Sequence, residues 1–121
     1  MIISFSLTTD ALLSGQKTCT RRVWKPRTIA SWQKAYDEGR LIHDAVDKHL
    51  YRGGKYIAKI ELTCRPYQER LADMPEGDLI HEGGLWETRE EFWALFDGPE
   101  QVVTVVRFEV VAPDDRKEEI G

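Results

Sequence analysis

A chain of 121 residues has room for one compact core but not for two, and 41% hydrophobic content with four Trp, four Tyr and four Phe suits a folded domain rather than a disordered one. No stretch approaches the roughly 20 consecutive apolar residues of a membrane-spanning helix; Met1 to Leu7 lacks the basic lead and long apolar run of a secretory signal, so the expectation is a cytoplasmic protein without a membrane partner. A net charge of −4 argues against coating duplex nucleic acid by long-range attraction.

In chain order, Ile2 to Leu7 reads as a short strand. Thr8 or Thr9 then caps a brief helix through Leu12 and Leu13 that stops at Gly15. Lys17 to Trp24 is strand material closed by Pro26, and Thr28 can cap a second helix in which Ile29, Trp32 and Tyr36 form one apolar stripe before Gly39. The pattern weakens from Arg40 to Gly54, which reads as loop; residues 26–54 together are expected as a helix-loop insertion in a domain spanning 1–112.

From Tyr56 to Thr63 the alternation is clear, with Tyr56, Ala58, Ile60 and Leu62 on one face and Ile57, Lys59, Glu61 and Thr63 on the other. Pro66 and Pro75 each open a short helical turn, the second ending near Gly83-Gly84. Thr88-Arg89-Glu90-Glu91 fits a capping box ahead of Phe92, Leu95 and Phe96, with Gly98 and Pro99 as the stop. Val102 to Val111 is β-branched and begins apolar on both faces, as a central strand would be. Residues 113–121 are expected as a polar tail.

Cys19, Cys64, His43, His49 and His81 have no metal-ligand spacing, so neither a metal nor another cofactor is expected, and two reduced thiols fit better than a disulfide. The charge is unevenly spread. Ala11 to Tyr36 contains no Asp or Glu but holds Lys17, Arg21, Arg22, Lys25, Arg27 and Lys34, leaving −10 on the rest of the chain. That segment suits a local anion site, or equally a solvated basic strand edge that deters pairing. Nothing in the sequence signals an oligomeric state.

The segment Gly15-Gln16-Lys17-Thr18-Cys19-Thr20-Arg21-Arg22 resembles the G-x-K-T-x-T-x-R signature of ASCH domains, and His81-Glu82-Gly83-Gly84 followed by Thr88 to Phe92 resembles that family's Glu-Gly turn before its late helix. The resemblance implies an α+β fold, a PUA-like, mostly antiparallel β-barrel with flanking short helices. It also implies relatives that bind RNA or nucleosides, some of them amidohydrolases that remove the acyl group of N(4)-acetylcytidine. In those enzymes a Lys, a Thr three residues later and a distant Glu form the active site; the matching residues are Lys17, Thr20 and Glu82. The helix and loop between Trp24 and Gly54 and the paired arginines depart from the small hydrolases.

A regular strand sends residues three apart to opposite faces, so Lys17 and Thr20 converge only if Lys17 lies in the turn or the strand bulges. A buried, partly neutral Lys17 could take the Thr20 proton, Thr20 could attack an amide carbonyl, and Glu82 could protonate the departing amine or activate water. The same three residue types also suit a solvated turn, an exposed strand and a helix end. Arg21 and Arg22 offer guanidinium forks for phosphate, and Trp24 offers a face for a base. Arg22 shares parity with Thr20 and Trp24, so it is the arginine expected in the cleft, while Trp32, Trp86 and Trp93 are expected to pack. The expected partner is a modified nucleoside or single-stranded RNA. A non-catalytic RNA-binding module, RNA phosphodiester cleavage and a protein-interaction domain with a basic edge stand as alternatives.

Overall fold

The computed structural model describes residues 1–113; all but the first residue of the expected tail lie outside the described residues. Six strands form one mixed sheet: β1 (Ile2–Ser4), β2 (Cys19–Arg22), β3 (Ile42–Val46), β4 (Tyr56–Leu62), β5 (Tyr67–Arg70) and β6 (Val102–Pro113). The strand order is β1-β3-β4-β6-β2, with β5 also on β6; only β1 and β3 run parallel. Four short helices flank it: α1 (Thr9–Leu13), α2 (Pro26–Asp37), α3 (Asp78–His81) and α4 (Arg89–Trp93).

The fold is α+β and mostly antiparallel, but the expected barrel does not close. β1 pairs with β3 and β2 with β6, and among the described residues no ladder joins β1 to β2. Instead Arg22 Nη2 donates to Ser4 O at 2.5 Å, a side chain standing where a ladder bond would close the barrel.

The long β6 organises both cores. Val106 and Phe108 face a cluster with Phe5, Leu12, Trp32, Ala58, Ile60 and Leu62, whereas Val103 and Val105 face a second cluster with Leu71, Met74, Leu79 and Phe92. This is the two-sided burial that its apolar start calls for.

Several elements differ from the sequence reading. The second helix begins at Pro26 rather than after a Thr28 cap, because proline suits the first helical position, where its missing N–H costs nothing. The segment read as loop contains β3, whose buried side chains include His43 and Ala45 while Ile42 points outward. Pro66 opens β5, not a helical turn. In β4, Ala45 pairs with Ala58 and Val46 with Tyr56, so Ile57 is the extra residue of a bulge and both Ile57 and Ala58 are buried. The Thr88 cap is present, with Glu91 N donating to its Oγ1 at 3.2 Å, but the Glu91 carboxylate accepts from Glu87 N and the helix stops at Trp93.

Candidate functional site

β2 is an edge strand, and a cleft of about 230 Å³ runs along its unpaired side. Register fixes which way its side chains go. Thr20 and Arg22 lie opposite Val106 and Thr104 on the face of the first core; Cys19 and Arg21 lie opposite Arg107 and Val105 on the other. Both sets reach the cleft because it wraps around the strand's free edge: Lys17, Thr20, Arg21, Arg22 and Glu82 all line it.

Lys17 precedes the strand, as convergence with Thr20 requires. It is anchored by Lys17 N donating to Ala11 O at 3.0 Å, while Thr18 N donates to His81 O at 2.9 Å and draws the end of α3 against the start of β2. Glu82 caps that helix. The next residue must be glycine, since Gly83 has φ +135° and a Cβ there would sit 2.8 Å from Thr8 Cγ2. This close approach of the turn to α1 brings Glu82 over Lys17.

Lys17 Nζ donates to Glu82 O at 2.6 Å and to Glu82 Oε1 at 3.3 Å, both residues being buried. Arg21 holds the other carboxylate oxygen, with Nη1 donating to Oε2 at 2.8 Å. It also donates to Asp78 Oδ2 at 2.6 Å and to Glu69 Oε1 at 2.9 Å. Arg107 closes the network on Asp78 Oδ2 at 2.6 Å and donates to Tyr67 Oη at 3.1 Å. Three cations, Lys17, Arg21 and Arg107, thus face three carboxylates, Glu69, Asp78 and Glu82. Removing any one of them would leave its partners as desolvated, uncompensated charges.

Burial draws the Lys17 ammonium below the usual lysine range, against the opposing pull of Glu82. Burial pushes the Cys19 thiol up to about 12, with Glu82 adding to it, so Cys19 is an inert thiol at 3.7 Å from Glu82 Oε2. Burial also works against ionised Asp78, but hydrogen bonds from Arg107 and Arg21 hold its carboxyl below the ordinary range. Cys19 and Cys64 are both free thiols.

Arg22 differs from Arg21. Its Nε donates to Thr20 Oγ1 at 3.0 Å, its guanidinium lies 5.4 Å from the Phe5 ring centroid, and it makes no salt bridge among the described residues. Burial lowers its pKa against the opposing pull of the Glu82 carboxylate, with which it makes no salt bridge.

The structure brings Lys17, Thr20, Arg21, Arg22 and Glu82 together and leaves Trp24 out. Trp24 stacks on Trp32 at 5.3 Å and 19°, packed against the first core, so the aromatic wall is supplied elsewhere. That wall is Phe5, Trp86, Phe92 and Phe96 with Leu95. Trp86, expected only to pack, both meets Phe92 edge-on at 4.9 Å and lines the cleft. Asp78, Glu69 and Arg107 were not singled out either. Their signal is the pairing of β5 and β6 beside β2, which no local spacing announces.

Among solved structures, the fold is similar to the crystal structure of protein EF3133 from Enterococcus faecalis, described as DUF984, with a TM-score of 0.55 and 18% identity over 92% of this chain and 71% of that one. No family model matches the chain, and no curated protein matches its sequence. At that identity the likeness speaks for the fold alone. Among the described residues no helix is long and apolar enough to cross a membrane.

Proposed function

We propose that the cleft recognises a modified nucleoside and hydrolyses its exocyclic N-acyl amide, as in N(4)-acetylcytidine. The observation that carries this reading is that Lys17, Thr20 and Glu82, scattered over 65 positions of sequence, line one small cleft whose far wall is aromatic. At about 230 Å³ it is smaller than the ~300–1,000 Å³ of drug-sized sites, which suits one ring system with its substituents. The base would lie against Trp86 and Phe96, its acyl amide at Thr20.

In this mechanism neutral Lys17 takes the Thr20 hydroxyl proton and Thr20 Oγ1 bonds to the acyl carbon. Arg22 Nε, already donating to that oxygen, stabilises the developing alkoxide. The C–N bond then breaks, and the leaving nitrogen receives the proton by way of Glu82, whose Oε1 lies 3.3 Å from Lys17 Nζ. Water, deprotonated by Glu82, cleaves the threonyl ester and restores the hydroxyl. Arg21 fixes Glu82 by its other oxygen and leaves Oε1 to Lys17.

One observation favours a second reading, a binding module without chemistry. The Lys17 ammonium is tied to both the carbonyl and the carboxylate of Glu82, and the hydrogen-bond partner of Thr20 is Arg22. Incubation with a panel of N-acylated cytidines and short RNAs, followed by mass spectrometry, separates the two. Release of the free carboxylic acid and cytidine supports hydrolysis; intact acyl-cytidine together with measurable binding supports the module.

A further inference from the structure

The connection between β3 and β4, residues 47–55, takes no part in the cleft, yet it is built with care. Arg52 N and Gly54 N both donate to His49 O at 2.9 and 3.1 Å, Asp47 N donates to Lys55 O at 3.1 Å, and Lys55 N donates to Asp47 Oδ1 at 2.8 Å. Gly54 is required: a Cβ there would meet Lys48 O at 1.9 Å and His49 O at 2.7 Å. This fixed frame holds Tyr51 79% exposed, stacked on His49 at 5.4 Å and 18°, with the Arg52 guanidinium 5.7 Å from the Tyr51 ring.

An aromatic pair held in water by a closed loop buries little and stabilises little, so packing does not account for it. Around it stand Lys48, Arg52 and Lys55, all exposed and making no salt bridge among the described residues, in a chain whose net charge is −4. A flat ring stack beside three exposed cations, with Asp47 next to Lys48 already accepting from Lys55 N, is the composition of a single-strand platform, where bases stack and phosphates meet positive charge. The loop's position fits as well. Ser4 pairs with Val46 and Phe5 N donates to Val46 O at 2.9 Å, so the loop leaves the sheet directly beside two residues of the cleft wall.

We infer that the β3–β4 loop docks a single-stranded polynucleotide, a base continuing the Tyr51–His49 stack and phosphates meeting Lys48, Arg52 and Lys55, while a neighbouring nucleotide occupies the cleft. This rests on the nucleoside reading of the cleft and extends its substrate from the free nucleoside to the same base within a strand. The guanidinium of Arg22, on the cleft side, then meets the connecting phosphate.

The test is fluorescence anisotropy with a labelled oligouridine of about eight nucleotides across a salt series. Tyr51→Ala should weaken binding by roughly fivefold to a hundredfold, and the combined Lys48→Ala, Arg52→Ala, Lys55→Ala variant should lower the slope of log affinity against log salt by about two. Circular dichroism checks that each variant stays folded. Wild-type affinity and salt slope in these variants, no binding by the wild-type protein, or displacement of the probe by an acidic peptide as effectively as by unlabelled RNA would each overturn the inference. Hydrolysis of free acyl-cytidine should be unchanged in Tyr51→Ala. Loop-dependent RNA binding without any hydrolysis therefore leaves the loop standing and removes the catalytic reading, and hydrolysis without loop-dependent binding does the reverse.

Discussion

Replacing Arg21 with methionine is the sharpest probe of how the site is held. The Arg21 side chain is fully buried and donates to three carboxylates. Methionine keeps the apolar stem, so the charge is the variable removed. Asp78 retains Arg107 and Glu82 retains Lys17, but Glu69 makes no other ion pair among the described residues, and three carboxylates are left converging on an apolar thioether. Breaking a buried pair by removing one partner costs about 3–5 kcal/mol, because the remaining charges stay desolvated. That is a large share of a domain's usual ~5–15 kcal/mol. At roughly 3–5 °C per kcal/mol for a chain of this length, the Tm should fall by about 9–25 °C. Thermal unfolding followed by circular dichroism reads it directly, with Arg65→Met, which breaks an exposed pair to Asp37, as the control that should change little.

The pH dependence adds a sign. Asp78 titrates below its ordinary value in the folded protein, so its contribution is present above the unfolded pKa and lost as pH falls through the folded one. Without Arg21 that depression shrinks, so the gap in stability between wild type and Arg21→Met should stay constant from pH 7 down to about pH 4 and narrow only below it, as pH falls through the folded-state titration of Asp78. A Tm change of only a few degrees, or a gap that does not vary with pH, would refute the view that the network is held together by Arg21.

Four further outcomes follow. Thr20→Ala and Lys17→Ala should each abolish acyl-cytidine hydrolysis, and the double variant should lose little more, because residues acting as one unit are not additive; substantial single-variant activity excludes the mechanism. Glu82→Gln should keep binding while reducing turnover by about a hundredfold or more, and the wild-type rate should climb on the alkaline side, since burial brings Lys17 below the usual lysine range and the base must be neutral. Arg22→Ala should weaken nucleotide binding and reduce its salt dependence; unchanged affinity at low salt removes Arg22 from the site. Thr88→Ala should cost about 1 kcal/mol by loss of the cap, measured by urea unfolding.

What could be read from the sequence tracks how locally each element's burial is encoded. β4 and β6 were legible because their side chains alternate or crowd in apolar types against both cores. β3 was not: His43 occupies a buried position, its ring 4.7 Å from Trp32, while Ile42 is 55% exposed, so the usual period is written in the wrong residues. β5 hid for a related reason. Its inward positions are Tyr67 and Glu69, which serve Arg107 and Arg21 rather than an apolar core, so polar partners set its burial.

The site shows the same division more finely. Alternation along Thr20, Arg21 and Arg22 correctly sends the two arginines to opposite faces, and the expectation that one of them stays outside the cleft fails only because β2 is an edge. A strand inside a closed barrel would present one face to a ligand; an edge strand presents both faces and its rim. The unclosed gap is therefore what allows Lys17 and Glu82 from one side and Thr20 and Arg22 from the other to share a cleft. Arg22 spans that gap to Ser4 O, so a single side chain ties β1 to β2 and leaves its remaining N–H donors toward the cleft. If a ligand's anionic group competes for Arg22, the tie between the strands loosens as the ligand binds, and amide exchange at β1 should rise rather than fall on saturation with nucleotide. Protection of β1 by the ligand would mean instead that the Arg22–Ser4 bond persists and that the anion is held by the donors left over.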